Sequence, residues 1–177
     1  MIPLKDAIKE KHKKAETMPF NQRMFSGGMS GEEYITYLYQ QFSIFNAIER
    51  YPLPHESLYR SSEVLGDIGE LHHNSSQLEM VFMPSTIQYT NYLEKLSKEE
   101  LLPHVYLNYL ALVFGGKLMK HKTPGGGRMY DFDGDLNSMI ASIRMIQKDE
   151  WADEVNKGLD YIIQIFDELA KHHNITD

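Results

Sequence analysis

The sequence predicts an all-α, single-domain helical bundle spanning residues 1–177, on three observations. Apolar residues recur at intervals of three and four almost throughout, and no stretch alternates with the period of two that a half-buried strand needs. Two capping boxes, Ser30 with Glu33 and Ser97 with Glu100, mark helix starts. A chain of 177 residues, 42% hydrophobic and 24% charged, has the length and composition of one globular domain with a sizeable core.

Taken in order, residues 3 to 16 predict a first helix, with Pro3 in its first turn, where the missing N–H is harmless. Phe20 to Phe25 predicts a short helical turn closed by Ser26-Gly27-Gly28. The Ser30 box opens a long helix reaching Arg50, which Tyr51-Pro52-Leu53-Pro54 ends. Leu58 to Val81 predicts a further helix with a bend or break at Asn74-Ser75-Ser76, and Pro84-Ser85 starts another that reaches Leu96. After a central helix, Thr123-Pro124-Gly125-Gly126-Gly127 forms a loop leading into Tyr130 to Asp135. Two last helices cover Leu136 to Gln147 and Glu150 to His172.

The central stretch, Glu100 to His121, organises the rest. It is apolar on nearly every side from Val105 to Phe114, as in a helix buried in a core. Gly115 and Gly116 then cost about 1 kcal/mol each relative to alanine inside a helix, so the missing Cβ atoms must allow something, either a close neighbour or a kink. His104, Asn108, Leu112, Gly115 and Met119 share one face, so whatever approaches the glycines also meets Asn108 and Leu112. Tight packing of helix on helix accounts for the pair equally well.

The first helix carries the second signal. Lys5, Lys9, His12 and Glu16 fall within about 60° of one another on a helical wheel, beside an apolar stripe of Leu4, Ile8 and Ala15. An imidazole is a common metal ligand, and a carboxylate on its other nitrogen fixes the tautomer and raises basicity. The two lysines are placed to hold anionic groups of a ligand. A solvated charged face is the plainer reading of this helix alone.

Composition narrows the classes. A net charge of -7 leaves no basic surplus for nucleic acid, although lysines crowd the first helix. Without cysteine there is no disulfide, thiolate ligand or thiol nucleophile. No apolar run reaches the roughly 18 residues a membrane span needs and no secretory h-region is visible, which predicts a soluble protein of the cytoplasm, with the plastid or a viral host's cytoplasm as further settings. The glycines after Pro124 lack the Gly-Lys-Ser/Thr of a phosphate loop. Asp131, Asp133 and Asp135 read as turn and cap residues, because Met145 stands where an EF-hand starting at Asp133 requires Glu.

Together the two motifs resemble the haem oxygenase family. They are Leu4-Lys5, Lys9-Glu10, His12 and Ala15-Glu16 at the start, then His104, Tyr106, Tyr109-Leu110 and the Gly115-Gly116 pair, with weaker echoes in Phe42 to Glu49 and Ile163 to Leu169. The resemblance implies haem b, substrate and cofactor at once, held between a proximal and a distal helix. It implies opening of the ring with O2 to biliverdin, Fe(II) and CO, with electrons from a reductase or ferredoxin, of which the lack of a membrane tail favours a soluble ferredoxin. In that frame His12 is the axial iron ligand and Glu16 its partner. Lys5, Lys9, Tyr106 and Arg144 hold the propionates, and Gly115 and Gly116 bring the distal backbone close over the ring. The partners implied are haem, the electron donor and a bilin reductase downstream, for a monomer or weak dimer that binds neither nucleic acid nor membrane.

Two positions depart from the family pattern. Ile140 occupies the place of a second basic residue one turn before Arg144. Leu112 stands three residues before the first glycine, where many members carry an acid that organises a proton-donating water. An aliphatic side chain holds no water, which makes Asn108, one turn earlier on the same face, the substitute anchor. An interhelical hydrogen bond is its other reading. Two rival functions follow: a protein that binds or stores haem without opening it, and a di-iron carboxylate oxidase, for which Glu70 and His73 supply one Glu-x-x-His spacing but no second exists.

Overall fold

The computed structural model describes residues 1–73 and 79–176, and the break predicted at Asn74-Ser75-Ser76 lies outside them. Nine α-helices run through the described residues: α1 (Leu4–Ala7), α2 (Lys9–Thr17), α3 (Pro19–Phe25), α4 (Gly31–Ile48), α5 (Ser61–His73), α6 (Pro84–Glu94), α7 (Lys98–Lys120), α8 (Leu136–Ile146) and α9 (Ala152–His172). Among these residues no strand forms, and no helix is long and apolar enough to cross a membrane.

Local chemistry sets most boundaries. Both capping boxes form in full: the Ser30 and Ser97 side chains accept from the backbone of Glu33 and Glu100, whose carboxylates return to the cap N–H groups. Asp135 caps α8 by accepting from Asn137 N at 3.2 Å. The N-cap of α6 is Met83, which has no side-chain oxygen to offer. Glu168 from α9 supplies the missing acceptor, taking Ser85 N at 2.8 Å.

Two predicted helices come out shorter or divided. The single helix predicted over residues 3 to 16 is broken at Ile8, whose backbone (φ -102°, ψ -3°) separates α1 from α2. The helix predicted from Leu58 begins at Ser61, because residues 56–58 form a 3₁₀ turn stopped by the buried Arg60. The Arg60 guanidinium donates to the carbonyls of Met129 and Asp131, at 3.1 Å each, and lies 3.9 Å over the Phe132 ring. Asp67 accepts from the backbone N–H groups of Arg128 and Met129 at 2.9 and 2.8 Å. These two buried ionisable side chains fix the segment after α7, and with it the position of Tyr130 against that helix.

The core is one continuous cluster around α4, α7 and α9, with Tyr34, Tyr39, Phe45, Tyr89 and Tyr109 among its largest buried side chains. Tyr109 Oη donates to Glu49 at 2.7 Å, and Glu49 also receives Arg60 N at 3.0 Å. A buried hydroxyl and a carboxylate thereby satisfy one another inside an apolar setting.

Candidate functional site

Helix α9 is the rail on which the two predicted site helices ride. On one side Lys11 Nζ meets Asp160 at 2.7 Å, Asn156 Nδ2 donates to the carbonyl of Ala7 at 3.2 Å, and Leu4 N donates to Asp149 at 2.8 Å just before α9. On the other side Gly158 admits α7. A Cβ there would fall 2.5 Å from Leu107 Cδ2 and 3.2 Å from His104 Nδ1. Since Gly158 and Asp160 are two residues apart on α9, α2 and α7 flank it at the same level.

On α2, Lys9, His12 and Glu16 share an uninterrupted helix, while Lys5 belongs to the piece before the Ile8 break. The face predicted for four residues is therefore continuous for three. His12 Nδ1 stands 3.4 Å from Glu16 Oε1, and both side chains are about half exposed, at 46% and 53%. A proton on Nδ1 directed at this carboxylate leaves the Nε2 lone pair free for a metal. Lys5 and Lys9 are both exposed.

On α7 the two glycines do different things. A Cβ on Gly115 would meet no atom within 4 Å, whereas one on Gly116 would lie 2.9 Å from the Tyr130 carbonyl oxygen. A side chain at position 115 would thus enter open space, whereas Gly116 is explained by packing on the segment that Arg60 and Asp67 hold. Around Gly115 the helix exposes apolar side chains, Phe114 at 60% and Leu118 at 61%. Singly exposed apolar residues are ordinary; two on neighbouring turns beside a bare backbone form an apolar surface patch. Arg144 from α8 lies 5.8 Å over the Phe114 ring and donates to Gln147 at 3.1 Å. Its charge reaches Tyr106, whose pKa burial raises and Arg144 partly restrains. Tyr106 and Arg144 therefore lie within electrostatic reach of one another.

Leu112 and Asn108 are less simply placed. Leu112 is turned into the core, 8% exposed. Asn108 directs its Nδ2 to Tyr89 Oη at 3.1 Å and to the His104 carbonyl at 2.9 Å, which is the interhelical hydrogen bond weighed above. Among the described residues its Oδ1 accepts no hydrogen bond, and Asn108 as a whole is partly exposed. His104 is wholly buried, 2.7 Å from Tyr89 Oη through Nδ1 and 2.9 Å from Glu154 Oε1 through Nε2. Burial lowers its pKa, and the Glu154 hydrogen bond opposes this incompletely. Burial also presses on Glu154, but hydrogen bonds from Tyr92 and His104 outweigh it and hold the carboxyl below its ordinary value. The pair is a neutral imidazole donating to a carboxylate.

Sequence reasoning missed Tyr89, Glu154 and Asn156. The signal that could have found the first two is His104 itself, a polar residue on an apolar helix that demands partners. The di-iron reading finds no support: among the described residues no group of three or more His, Asp or Glu gathers to hold a metal, and Glu70 accepts from Gly126 N at 3.1 Å.

A family model described as heme oxygenase matches residues 2–157. Heme oxygenase 1 of Gallus gallus is 24% identical over 206 aligned residues, covering 95% of this chain and 69% of that protein. Heme oxygenase-1 of the cyanobacterium Synechocystis, solved with heme, superposes with a TM-score of 0.81 at 18% identity, over 97% of this chain and 94% of the other. Heme oxygenase-2 of Synechocystis, solved with heme and NO, gives 0.80 at 18% identity over 96% and 84%. Heme oxygenase from Leptospira interrogans gives 0.71 at 19% identity over 95% of each chain. At such identities the structural likeness shows the fold.

Proposed function

We propose that this chain, which belongs to the haem oxygenase family, opens haem with dioxygen and externally supplied electrons to give biliverdin, Fe(II) and CO. The observation that carries the reading is the open backbone at Gly115, flanked on α7 by exposed Phe114 and Leu118, with a half-exposed His12 across α9. These residues fit a flat apolar ring with a metal at its centre and anionic groups on one edge. Haem, as substrate, brings the iron at which dioxygen is activated.

The residues of the chain bind, orient and hydrogen-bond. His12 ligates the iron through Nε2, with Glu16 keeping the proton on Nδ1. Gly115 admits the ring face where a side chain would stand in the way, while Phe114 and Leu118 exclude water from it. Lys9, Arg144 and Tyr106, with Lys5 beside them, fix the propionates by charge-assisted hydrogen bonds. Asn108 Oδ1 accepts from a water at the distal face, a role that Leu112 leaves to it. The electron donor is a soluble ferredoxin-type protein; the exposed Lys117 and His121, beyond Gly116 on a chain of net charge -7, suit an acidic partner. The product passes to a bilin reductase.

Purified protein given haemin, reductant, donor and O2 tests this by bilin absorbance. His12→Ala is expected to lose the native haem spectrum and most turnover, with added imidazole restoring part of both. A His12→Ala protein that keeps the native spectrum without imidazole overturns the ligand assignment. A second reading, haem binding without ring opening, is favoured by the apolar Leu112; it predicts a Soret band and no bilin.

A further inference from the structure

Helices α6, α7 and α9 meet over Gly158, and each sends polar side chains into the junction: Tyr89 and Tyr92 from α6, His104 and Asn108 from α7, Glu154 from α9. One carbonyl decides how the protons in this chain are arranged. The His104 carbonyl can only accept, so the Asn108 atom 2.9 Å from it is the amide nitrogen, and the same nitrogen donates to Tyr89 Oη. Tyr89 Oη, having accepted from Asn108, gives its own proton to His104 Nδ1. His104 therefore carries its single proton on Nε2 and donates it to Glu154, which Tyr92 Oη also feeds. Every donor points toward the carboxylate, and that carboxylate is 31% exposed, at a wet end where it can stay ionised. Tyr161 stacks on Tyr89 at 4.9 Å and closes the junction from the α9 side.

At the opposite end the consequence falls on Asn108. With both amide protons committed, its Oδ1 is left without a donor among the described residues, one turn before Ala111 and Leu112 and two before Gly115 on a partly exposed position. We propose that Glu154, His104 and Tyr89 are positioning residues for this distal face: they hold the Asn108 amide in one orientation, so that Oδ1 presents a fixed acceptor to water beside the substrate. The role rests on the reading that the Gly115 face receives haem. The orientation itself does not depend on it. A freely turning amide would offer donor and acceptor alternately; a held one offers only the acceptor, which orders a water with its second hydrogen directed away from the helix.

Two measurements test this. In the haem-free protein at neutral pH, long-range proton–nitrogen NMR reads the His104 tautomer. A proton on Nε2 is expected, and a proton on Nδ1 overturns the proposal, because Tyr89 would then accept from the imidazole and its hydroxyl proton would no longer link Asn108 through His104 to Glu154. In the haemin complex, Tyr89→Phe and Asn108→Leu are each expected to lower kcat for bilin formation about ten-fold, as for loss of one hydrogen bond. Haemin affinity, set at His12, is expected to stay within about two-fold, and the double variant to be no slower than Asn108→Leu, as for residues acting through one group. Loss of activity in Asn108→Leu with full activity in Tyr89→Phe overturns the positioning role and leaves the water anchor standing. Haemin binding without bilin in the parent protein overturns the oxygenase reading instead, and the tautomer still decides whether Tyr89 links Asn108 to His104 and Glu154.

Discussion

Asn156 Nδ2 donates to the carbonyl of Ala7 at 3.2 Å, across from α9 to the break that divides the first predicted helix in two. The break falls one turn before His12, so the side chain that seats it also seats the proximal end of the site. Asn156 Oδ1 is itself buried without a partner, which makes the substitution chosen decisive. Asn156→Asp removes the donor and sets an oxygen against the carbonyl, at a cost of about 2–3 kcal/mol, or roughly 4–12 °C in Tm for a chain of this size. Asn156→Leu removes the donor and the orphaned acceptor together and is expected within about 1 kcal/mol of the parent. Thermal melts of the two variants check the order; an Asp variant as stable as the parent would show that the break forms without this contact.

The two central glycines are expected to separate on substitution. Gly115→Ala meets open space and gains helix propensity, so the haem-free protein gains up to about 1 kcal/mol, while haemin affinity and turnover fall. Gly116→Ala places a methyl 2.9 Å from a backbone oxygen held by Arg60 and Asp67, and overpacking of this kind costs about 1–3 kcal/mol. Melting curves and haemin titrations of both variants read the contrast. Equal destabilisation by both would mean that Gly115 too packs on protein.

What could be read from the sequence was local. Both capping boxes, the span of α7 and the His12 to Glu16 spacing depend on residues within four positions of one another, and all stand as predicted. The Ile8 break has no glycine or proline to announce it, and Asn156, the side chain that meets it, lies 149 residues away. Nor does anything near Gly116 tell it from Gly115. The difference is Tyr130, held by Arg60 and Asp67 from another part of the chain. His104 was legible as a polar residue on an apolar helix, but its partners come from α6 and α9, and only the fold joins them.

Acid is expected to weaken the fold through His104. Burial lowers its pKa from the ordinary 6.5, so between the two values the unfolded chain binds a proton that the folded chain refuses. The stabilisation is complete above the ordinary value and is lost as pH falls below it. His173 acts in the same direction, lowered by burial and then by His172. Glu154 adds a further loss at lower pH: its folded pKa lies below the ordinary 4.5, and its stabilisation, present above that value, disappears as pH falls through the folded one. Tm measured from pH 8 to 5 is expected to drop below about pH 6.5, and His104→Gln to flatten that drop whatever it costs in absolute Tm. An unchanged slope in His104→Gln would assign the acid sensitivity to other groups.

Leu112 decides how far the distal face extends around α7. From sequence it shares a face with Asn108 and Gly115, and a carboxylate there would be solvated if that face opened on the ligand. In the structure Leu112 is 8% exposed and belongs to the core, while the open side runs through Ala111, Phe114, Gly115 and Leu118. Leu112→Asp therefore buries a charge with no partner, a change that costs about 3–5 kcal/mol when no cation or donor cluster compensates it. Leu112→Ala removes only packing, at about 2–5 kcal/mol depending on how well the site closes. The Asp variant is expected to melt well below the parent at neutral pH, and to recover part of the difference as the pH is lowered and the carboxyl becomes neutral. The Ala variant shows no such recovery, which separates charge burial from lost volume. A Leu112→Asp protein that melts with the parent, with or without faster bilin formation, would mean that position 112 meets water at the distal site, and that the face receiving the ring is wider than the one that Gly115 opens.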